Sequence, residues 1–371
     1  MKTDLKVALV HDQLNQAGGA ERVLLALTHL FPQAPIYTLL YDKERLGGFE
    51  DKKVVPSFIQ KLPFAKTLFK WYLPFMPSAV EALDLTGYDL VISSSSALIK
   101  GVITGPETLH ICYCHTPTRY LWTDSAEYVK SLRVPTFIKA MLTHYLSKLR
   151  SWDQLASQRV DHYIANSQCV ADRIKNYYHQ DAHVVYPPVD VHNYTNASKK
   201  ENYFVMVGRL RPYKKFDLAI QAFNRLKLPL KIIGTGEQEQ ELKKLAGPTI
   251  EFLGHLNEEQ KREVVSKARA FINPQVEDFG ITAVEALAAG TPVIAYGKGG
   301  AREIVTPGVT GEFMKYQNWE SLVDVILSFD DKRYQPQALK DAAQRYSTEK
   351  FFETWQTTLQ TLTQLHEKNW N

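Results

Sequence analysis

Short apolar runs alternate with longer amphipathic stretches along most of this 371-residue chain. The runs are short enough to indicate buried strands, and they fall into two sets: Val7–Val10, Leu90–Ser93, His110–Cys114 and Tyr163–Ala165, then Tyr203–Val207, Leu230–Ile233, Ile250–Phe252, Ala270–Ile272 and Pro292–Ala295. Helical periodicity lies between them, for example over Ala20–Leu30, Phe216–Leu226 and Glu258–Lys267. Strands that alternate with helices pair in parallel and are covered by helices on both faces, so the pattern predicts an α/β fold.

The two sets of strands are separated by residues 186–202, which contain Pro187-Pro188 and have the composition of a linker. A chain of this length also exceeds what one hydrophobic core usually holds. We therefore predict two doubly wound Rossmann-like domains, over residues 1–192 and 199–346. Apolar residues spaced for one helical face predict a further, C-terminal helix within residues 347–371. Ligands of such sheets bind beyond the carboxyl ends of the strands, so two facing domains would hold their ligands in a central cleft.

The composition excludes several classes of protein. A formal net charge of +4 is too small for a nucleic-acid-binding domain, in which basic residues usually dominate. The three cysteines, at 112, 114 and 169, are too few for a disulfide framework and fit a reducing compartment. No apolar run approaches the roughly 18 residues that span a bilayer, and the first run follows Asp4, so we expect a cytoplasmic protein.

Two carboxylates bracket the start of a predicted helix in the second set of strands. Glu277 precedes Phe279, Gly280 and Ile281, and Glu285 follows within the helix. Eight helical residues span about 12 Å, and the free N–H groups at a helix start bind phosphate. Glu277 could accept hydrogen bonds from the sugar of a nucleotide-sugar and Glu285 from its ribose, with the phosphates at the helix start. The alternative is an acidic loop before a solvated helix, but the neighbouring glycines favour a ligand site.

Cations follow the first strand of the same set. Arg209 and Lys214 lie in Gly208–Lys215, between a strand and a helix, where they could neutralise a diphosphate leaving group. An ordinary basic surface loop is the alternative. Near the start of the chain, Gly18-Gly19 also lies between a strand and a helix, and paired glycines let a ligand approach the backbone. The full G-x-G-x-x-G pattern is missing, so no dinucleotide cofactor is expected.

His115 follows an apolar strand, where it could contact a substrate or cap the next loop. Cys112 and Cys114 point to one side of that strand, but no fourth ligand is evident, so we interpret them as core thiols rather than metal ligands. The sequence also has no D-x-D triplet, the usual carboxylate pair for a divalent ion on a diphosphate. We therefore expect neither a metal nor a cofactor.

Together these segments resemble the retaining glycosyltransferases of family 4, which have the GT-B fold of two Rossmann-like domains. The resemblance covers nearly the whole chain and depends most on the block from Glu277 to Glu285. Its other parts follow in order: Gly18-Gly19, Cys114-His115-Thr116-Pro117, Ala165-Asn166-Ser167, Pro187-Pro188-Val189-Asp190, Gly208-Arg209 with Lys214, Gly234-Thr235-Gly236, Gly254 and Gly299-Gly300.

The resemblance implies a nucleotide-sugar donor, no metal ion, and a C-terminal helix over residues 347–371 that crosses back to the first domain. It also implies transfer with retention of the anomeric configuration, in which the leaving phosphate helps to deprotonate the acceptor. The roles it implies for single residues are diphosphate binding by Arg209 and Lys214, ribose binding by Glu285, sugar contact by Glu277, a position beside the sugar for His115, and main-chain contact with the phosphates at Gly19.

Two positions depart from the family pattern, Asp278 where Pro is frequent and Lys215 where Gly is frequent. The Asp-Phe-Gly variant and the opening Val10-His11-Asp12 resemble bacterial O-antigen and exopolysaccharide mannosyltransferases. We therefore expect GDP-mannose as donor and a saccharide or polyprenyl-diphosphate-linked saccharide as acceptor, in polysaccharide or lipopolysaccharide synthesis. The alternatives are a UDP-sugar donor and a non-catalytic nucleotide-sugar-binding protein, since intact binding groups do not prove turnover. A nicotinamide-dependent oxidoreductase would need the missing glycine fingerprint.

Two stretches combine basic and aromatic residues and contain no acid. Residues 52–80 carry Lys52, Lys53, Lys61, Lys66 and Lys70 with Phe58, Phe64, Phe69, Trp71, Tyr72 and Phe75. Residues 128–152 carry Lys130, Arg133, Lys139, Lys148 and Arg150 with Phe137 and Trp152. Such a mixture suits a surface that rests on anionic lipid, here the inner face of the cell membrane. A half-buried helical face with snorkelling lysines explains the same composition, and both interpretations are retained.

Overall fold

The computed structural model describes residues 5–132, 134–197 and 199–370. The chain separates into two compact units, one of Met1–Pro187 with Phe352–Asn371 and one of Pro188–Phe351. We call them the amino-terminal unit and the carboxy-terminal unit. Each is built on a single parallel sheet.

Seven parallel strands form the sheet of the amino-terminal unit: β1 Val7–His11, β2 Ile36–Thr38, β3 Val54–Pro56, β4 Leu90–Ser95, β5 Leu109–Cys114, β6 His162–Ala165 and β7 Ala182–Val184. Their order is β3-β2-β1-β4-β5-β6-β7. Leu9 of β1 lies opposite Ile36 on one side and Ile92 on the other. The direction in which strands are added therefore reverses between β1 and β4, the point at which doubly wound sheets bind their ligands.

Six parallel strands form the sheet of the carboxy-terminal unit: β8 Phe204–Val207, β9 Leu230–Ile233, β10 Ile250–Gly254, β11 Phe271–Asn273, β12 Val293–Tyr296 and β13 Gly311–Met314. Their order is β10-β9-β8-β11-β12-β13. The reversal here lies between β8 and β11, where Val205 is opposite Phe271. Both sheets thus have the doubly wound, Rossmann-like order.

The helices lie between the strands in sequence, as the alternating pattern predicts. Those of the described residues are α1 Gly19–Leu30, α2 Ala65–Leu68, α3 Met76–Glu81, α4 Ser125–Ser131, α5 Thr136–Ser157, α6 Gln168–Tyr178, α7 Phe216–Leu226, α8 Glu239–Leu245, α9 Glu258–Lys267, α10 Ile281–Ala288, α11 Ala301–Ile304, α12 Trp319–Ser328, α13 Pro336–Gln344 and α14 Thr348–Trp370. Within this part of the chain no helix combines the length and apolar character needed to cross a membrane.

The predicted strands are all present, with ends displaced by two residues or fewer, and α7 and α9 span the predicted residues. The sequence pattern did not predict β2, β3, β7 and β13. Each includes a polar residue or a proline among its three or four residues, namely Thr38, Pro56, His183 or Glu312, and three of them lie at sheet edges. No uninterrupted apolar run marks them, so it is pairing with an existing strand that makes them part of a sheet.

The end of α14 belongs to the amino-terminal unit, from Phe352 onward. Trp355 is completely buried, and its ring centroid lies 5.7 Å from that of Tyr113 on β5. Tyr113 in turn donates a 2.9 Å hydrogen bond to the Val185 carbonyl, just after β7. Two large buried aromatic rings in contact provide much of the apolar burial that anchors this helix.

Candidate active site

The loops after β8 and β11 carry the residues predicted to bind phosphate and sugar. Because these strands are neighbours in a parallel sheet, their carboxyl ends lie at the same edge. Arg209 follows β8 and Glu277 follows β11. The sheet order therefore brings together two segments that are far apart in sequence, at the reversal point of the carboxy-terminal unit.

Glu277 is held by two side chains. Its carboxylate pairs with the ammonium group of Lys214, and the amide of Gln275 donates a 2.7 Å hydrogen bond to the same carboxylate oxygen. Gln275 is buried and also donates to Asn273, the last residue of β11, over 2.6 Å. An acceptor for hydroxyl groups and a cation for negative charge thus lie side by side at the edge of the sheet.

Helix α10 begins directly after this carboxylate. Gly280 precedes it with a φ of +111°, a left-handed conformation that glycine adopts without strain. No described side chain caps the helix start, so its first N–H groups point toward the loop without a side-chain acceptor. The Phe279 ring packs 5.3 Å from that of Tyr346 and is buried, so only its main chain is available to a ligand.

Two glycines of the next loop allow a close approach to Glu277. A side chain at Gly299 would collide with the Glu277 carbonyl, and one at Gly300 would collide with the main chain of Phe279. The Gly300 N–H donates a 2.9 Å hydrogen bond to the Glu277 carbonyl. The loop that carries Glu277 is therefore positioned by main-chain contacts that only glycine permits.

Glu285 lies inside α10 and is almost completely buried. Its carboxylate is 3.2 Å from the ammonium group of Lys261 on α9, which also pairs with Glu258 over 2.7 Å. Lys261 is itself buried, so this ion pair is shielded from solvent. Glu285 was predicted from the sequence but Lys261 was not, because its position in a charged helix resembles that of any surface lysine.

Backbone contacts constrain the loop from Gly208 to Lys215, which carries Arg209 and Lys214. Gly234, with a φ of +130°, lies so close to the Gly208 carbonyl that a side chain there would collide with it. Lys215 has a φ of +55°, in the left-handed region that side chains disfavour. Glycine adopts this conformation without strain, so Lys215 occupies a backbone position that suits glycine.

His115 is buried at the carboxyl end of β5 in the amino-terminal unit. The hydroxyl of Ser94 lies 2.8 Å from His115 Nε2 and 3.1 Å from His11 Nδ1, at the ends of β4 and β1. Burial, reinforced by the charge of His11, lowers the pKa of His115 to about 3, so the imidazole is neutral near pH 7. A serine hydroxyl has one proton, so Ser94 donates to one of the histidines and accepts from the other.

Gly18 and Gly19 lie in the same region of the sheet edge. Gly19 is the first residue of α1, and the buried Glu21 of its first turn lies 3.7 Å from His11. The neighbouring Asp12 accepts four main-chain hydrogen bonds of 2.6–2.9 Å from residues 96–99 and so fixes the loop after β4. His11 and Asp12 were noted only as part of the resemblance and Ser94 was not predicted, because only the sheet order brings His11 and Ser94 to His115.

The thiols of Cys112 and Cys114 are buried within β5. Burial and the neighbouring Cys112 raise the pKa of Cys114 well above its ordinary value, so this thiol stays protonated. Across residues 5–132, 134–197 and 199–370, no group of three or more His, Cys, Asp or Glu side chains is arranged to hold a metal ion.

Comparison with known proteins identifies the family. Residues 17–193 match the family model described as Glycosyltransferase Family 4, and residues 190–346 match that described as Glycosyl transferases group 1. The chain belongs to glycosyltransferase family 4. Its GT-B fold follows from the two sheet orders and from structural neighbours.

Individual relatives of this glycosyltransferase have low sequence identity to it, but they match most of its length. It is 24% identical to the alpha-1,3/1,6-mannosyltransferase ALG2 of Dictyostelium discoideum, over 83% of this chain and 86% of that protein. It is 27% identical to the O-antigen chain mannosyltransferase C of Escherichia coli, over 75% of each chain. The crystal structure of Anabaena Alr3699/HepE in complex with UDP and glucose matches with a TM-score of 0.69 and 18% identity, over 96% of this chain and 100% of that one, and supports the fold.

Proposed function

We propose that this glycosyltransferase transfers mannose from GDP-mannose to a saccharide or a polyprenyl-diphosphate-linked saccharide, with retention of configuration and without a metal ion. The observation that supports this most is the pairing of Lys214 with Glu277, held by Gln275 at the reversal point of the sheet. A cation beside a carboxylate suits a ligand that carries negative phosphates next to neutral hydroxyls. A nucleotide-sugar is such a ligand.

In the proposed complex, the diphosphate lies at the start of α10 and near Arg209 and Lys214. The helix N–H groups and the two cations offset its charge, which grows as the sugar–phosphate bond breaks. Lys214 is already held in position by Glu277, so little reorganisation is needed when the donor binds. In this proposal the protein cations supply the positive charge that a divalent ion would otherwise supply, which supports metal-free catalysis.

The proposed reaction breaks the bond between the sugar C1 and the phosphate oxygen and forms a new bond from C1 to the acceptor oxygen on the same face. The acceptor proton passes to an oxygen of the leaving phosphate. Glu277 would hold sugar hydroxyls, and Glu285 the ribose hydroxyls. In the amino-terminal unit the neutral His115 is the proposed catalytic residue, acting as a hydrogen-bonding group rather than as a cation.

The choice of mannose is supported by two relatives, both of which are mannosyltransferases. A UDP-sugar is the second candidate donor, favoured by the UDP and glucose in the Anabaena structure. Both donors present the same diphosphate and ribose to the residues above, so these residues do not discriminate between them. A protein that binds a nucleotide-sugar without turnover is the non-enzymatic alternative.

Proton NMR of the purified protein in EDTA, with GDP-, UDP- and ADP-sugars, tests the proposal. We expect saturation transfer to GDP-mannose and its slow cleavage in the absence of metal. The Glu277→Ala variant should lose cleavage while it still binds the nucleotide, and Glu259→Ala, which removes an exposed carboxylate of α9, should behave like the wild type. Selective cleavage of a UDP-sugar would transfer the assignment to that donor, and binding without cleavage of any donor would favour the binding protein.

A further inference from the structure

The amino-terminal unit exposes a group of large apolar side chains interleaved with lysines. Phe64 and Trp71 are 77% and 66% exposed, and Phe137 and Met141 on α5 are 66% and 68% exposed. The whole group, which we call the lysine–aromatic surface, consists of Phe58, Lys61, Phe64, Lys66, Leu68, Lys70, Trp71, Phe75, Phe137 and Met141. Exposed apolar side chains that cluster in this way usually mark an interaction site.

The two segments that contribute to this surface are in contact. The hydroxyl of Tyr145 on α5 donates a 3.2 Å hydrogen bond to the carbonyl of Leu73. Met141 and Phe137 lie one and two turns before Tyr145, at intervals of four residues, and therefore on the same side of the helix. The side of α5 that bears them is thus the side that meets residues 63–75.

The segment before α3 packs against the core, although several of its aromatic rings are exposed to solvent. Prolines divide residues 58–81 into short helical turns rather than one amphipathic helix. Phe69, Leu73 and Met76 point into the core, while the residues between them point outward. Phe64 has a φ of +52°, a conformation that costs a non-glycine residue about 1 kcal/mol or more. The most exposed ring of the surface is therefore held out on a strained turn.

Only part of the two predicted basic–aromatic stretches reaches this surface. Trp152 is half-buried and donates a 2.9 Å hydrogen bond to Glu81, and Arg150 donates a 2.6 Å hydrogen bond to the Leu121 carbonyl. Both side chains therefore bind other groups of the protein. Arg133 lies outside the described residues. The snorkelling-lysine interpretation fits these internal groups, whereas it does not fit Phe64 or Trp71.

The charge of the surface is positive. Lys66 is paired with Asp42 over 2.9 Å and with Glu44 over 3.6 Å, which offsets its charge. Lys61 and Lys70 are exposed, and among the described residues no carboxylate pairs with either of them. Residues 52–80 themselves contain no acid. The surface would therefore repel a second copy of itself and attract an anionic partner.

We propose that the lysine–aromatic surface docks the protein on an anionic lipid bilayer. Aromatic rings favour the boundary between headgroups and acyl chains, and lysines bind the headgroup phosphates around them. Both kinds of group occur here on one solvent-facing surface, which matches the two layers of a membrane interface. The inference goes beyond the proposed function and does not depend on the donor, although it would give the enzyme access to a lipid-linked acceptor.

The test is co-sedimentation of the full-length protein with vesicles of phosphatidylcholine alone and of phosphatidylcholine mixed with phosphatidylglycerol. We expect binding only to the anionic vesicles. The Lys61→Glu/Lys70→Glu variant should bind more weakly by about fivefold or more for each lysine. Phe64→Gly/Trp71→Ser should also bind more weakly, and because glycine suits the backbone of residue 64, a loss of folding cannot explain that result.

Two matched controls lie in the carboxy-terminal unit. Lys244→Glu/Lys332→Glu makes the same change in net charge, and Tyr316→Ser/Leu327→Ser removes exposed apolar side chains of similar exposure. Both should bind vesicles like the wild type. Equal losses in the controls, or equal binding to neutral vesicles, would overturn the proposal. So would a dimer in sedimentation velocity that Phe64→Gly/Trp71→Ser converts to a monomer while vesicles are not bound, because the surface would then serve a second copy. None of these readouts depends on sugar transfer, so the proposed function is tested separately.

Discussion

The hydroxyl of Ser94 lies 2.8 Å from Nε2 of His115, and the same hydroxyl lies 3.1 Å from Nδ1 of His11. His11 and Ser94 lie on β1 and β4, and His115 directly follows β5, so the ends of three adjacent strands each contribute one member of a buried polar chain. The chain continues to Glu21 at the start of α1, 3.7 Å from His11. In a buried chain of this kind, each donor and acceptor restricts the tautomer of the next group, so Ser94 sets the orientation of the proposed catalytic histidine.

Replacing Ser94 with Ala should therefore reduce catalysis through His115. We expect kcat to fall about tenfold to a hundredfold with little change in the donor KM, because a misoriented group affects the reaction more than binding. The free energy of unfolding should fall by about 1–3 kcal/mol, since a buried imidazole nitrogen loses its partner. Steady-state kinetics with the cleaved donor and urea denaturation measure the two effects.

The preceding residue of the strand offers a matched control. Ser93 lies 2.8 Å from Nε2 of His110, so Ser93→Ala removes a buried serine–histidine hydrogen bond of the same length on the other face of β4. It should lose similar stability and keep its kcat. If the two variants were equally active, Ser94 would have a structural role only.

Acid should destabilise the protein through its buried neutral histidines. The pKa of His115 is about 3 and that of His110 about 4, in both cases chiefly because burial disfavours the charged form. An unfolded histidine titrates near pH 6.5, so between these values the unfolded chain binds a proton that the folded chain does not. Stability therefore falls as the pH falls through this window, by about 1.4 kcal/mol per pH unit for each histidine. Urea denaturation of the wild type and of His115→Gln measures this: the variant should show a shallower dependence, and parallel curves would contradict the assignment.

Lys214 and Lys215 are adjacent in sequence but should differ sharply in function. Lys214→Ala removes the partner of Glu277 and one of the proposed diphosphate cations, so we expect kcat to fall about a hundredfold or more. Lys215→Gly removes the neighbouring charge and places glycine at a φ of +55°, so activity should stay within about twofold and the fold should not be strained. Assays of both variants at saturating donor compare them directly. Similar losses would mean that the total charge of the loop, rather than Lys214, governs the reaction.

Gly299 should tolerate no side chain. Alanine there requires a left-handed backbone at φ +67° and collides with the Glu277 carbonyl. Gly308 has a similar φ of +74° with open space around it, so Gly308→Ala carries the backbone cost without the collision. We expect Gly299→Ala to lose about 1–3 kcal/mol more than Gly308→Ala in urea denaturation. Only Gly299→Ala should also weaken donor binding in saturation-transfer NMR, because it displaces the loop of Glu277. Equal effects of the two changes would show that the loop readily shifts.

The architecture could be predicted from the sequence because alternating strands and helices have a pattern that local residues determine. The uninterrupted apolar strands and α7 and α9 were found on that basis. The strands that were missed, such as β3 and β7, include Pro56 and His183 among three residues, so no uninterrupted apolar run marks them. Glu277 and Lys214 could be proposed because they lie in loops that follow strands, where parallel sheets bind ligands, and Glu285 because it lies in the helix that follows Glu277.

The partners of these residues could not be read in the same way. Burial periodicity is local, so the strands, the helices and the chemical groups at their ends could be predicted from the sequence. The contacts of Lys261 with Glu285, of Ser94 with His11 and His115, and of Tyr145 with Leu73 appear only in the tertiary structure. Each of these contacts joins segments brought together by strand order or helix packing. Strand order and helix packing depend on the free energy of the whole core, which no short stretch of sequence determines.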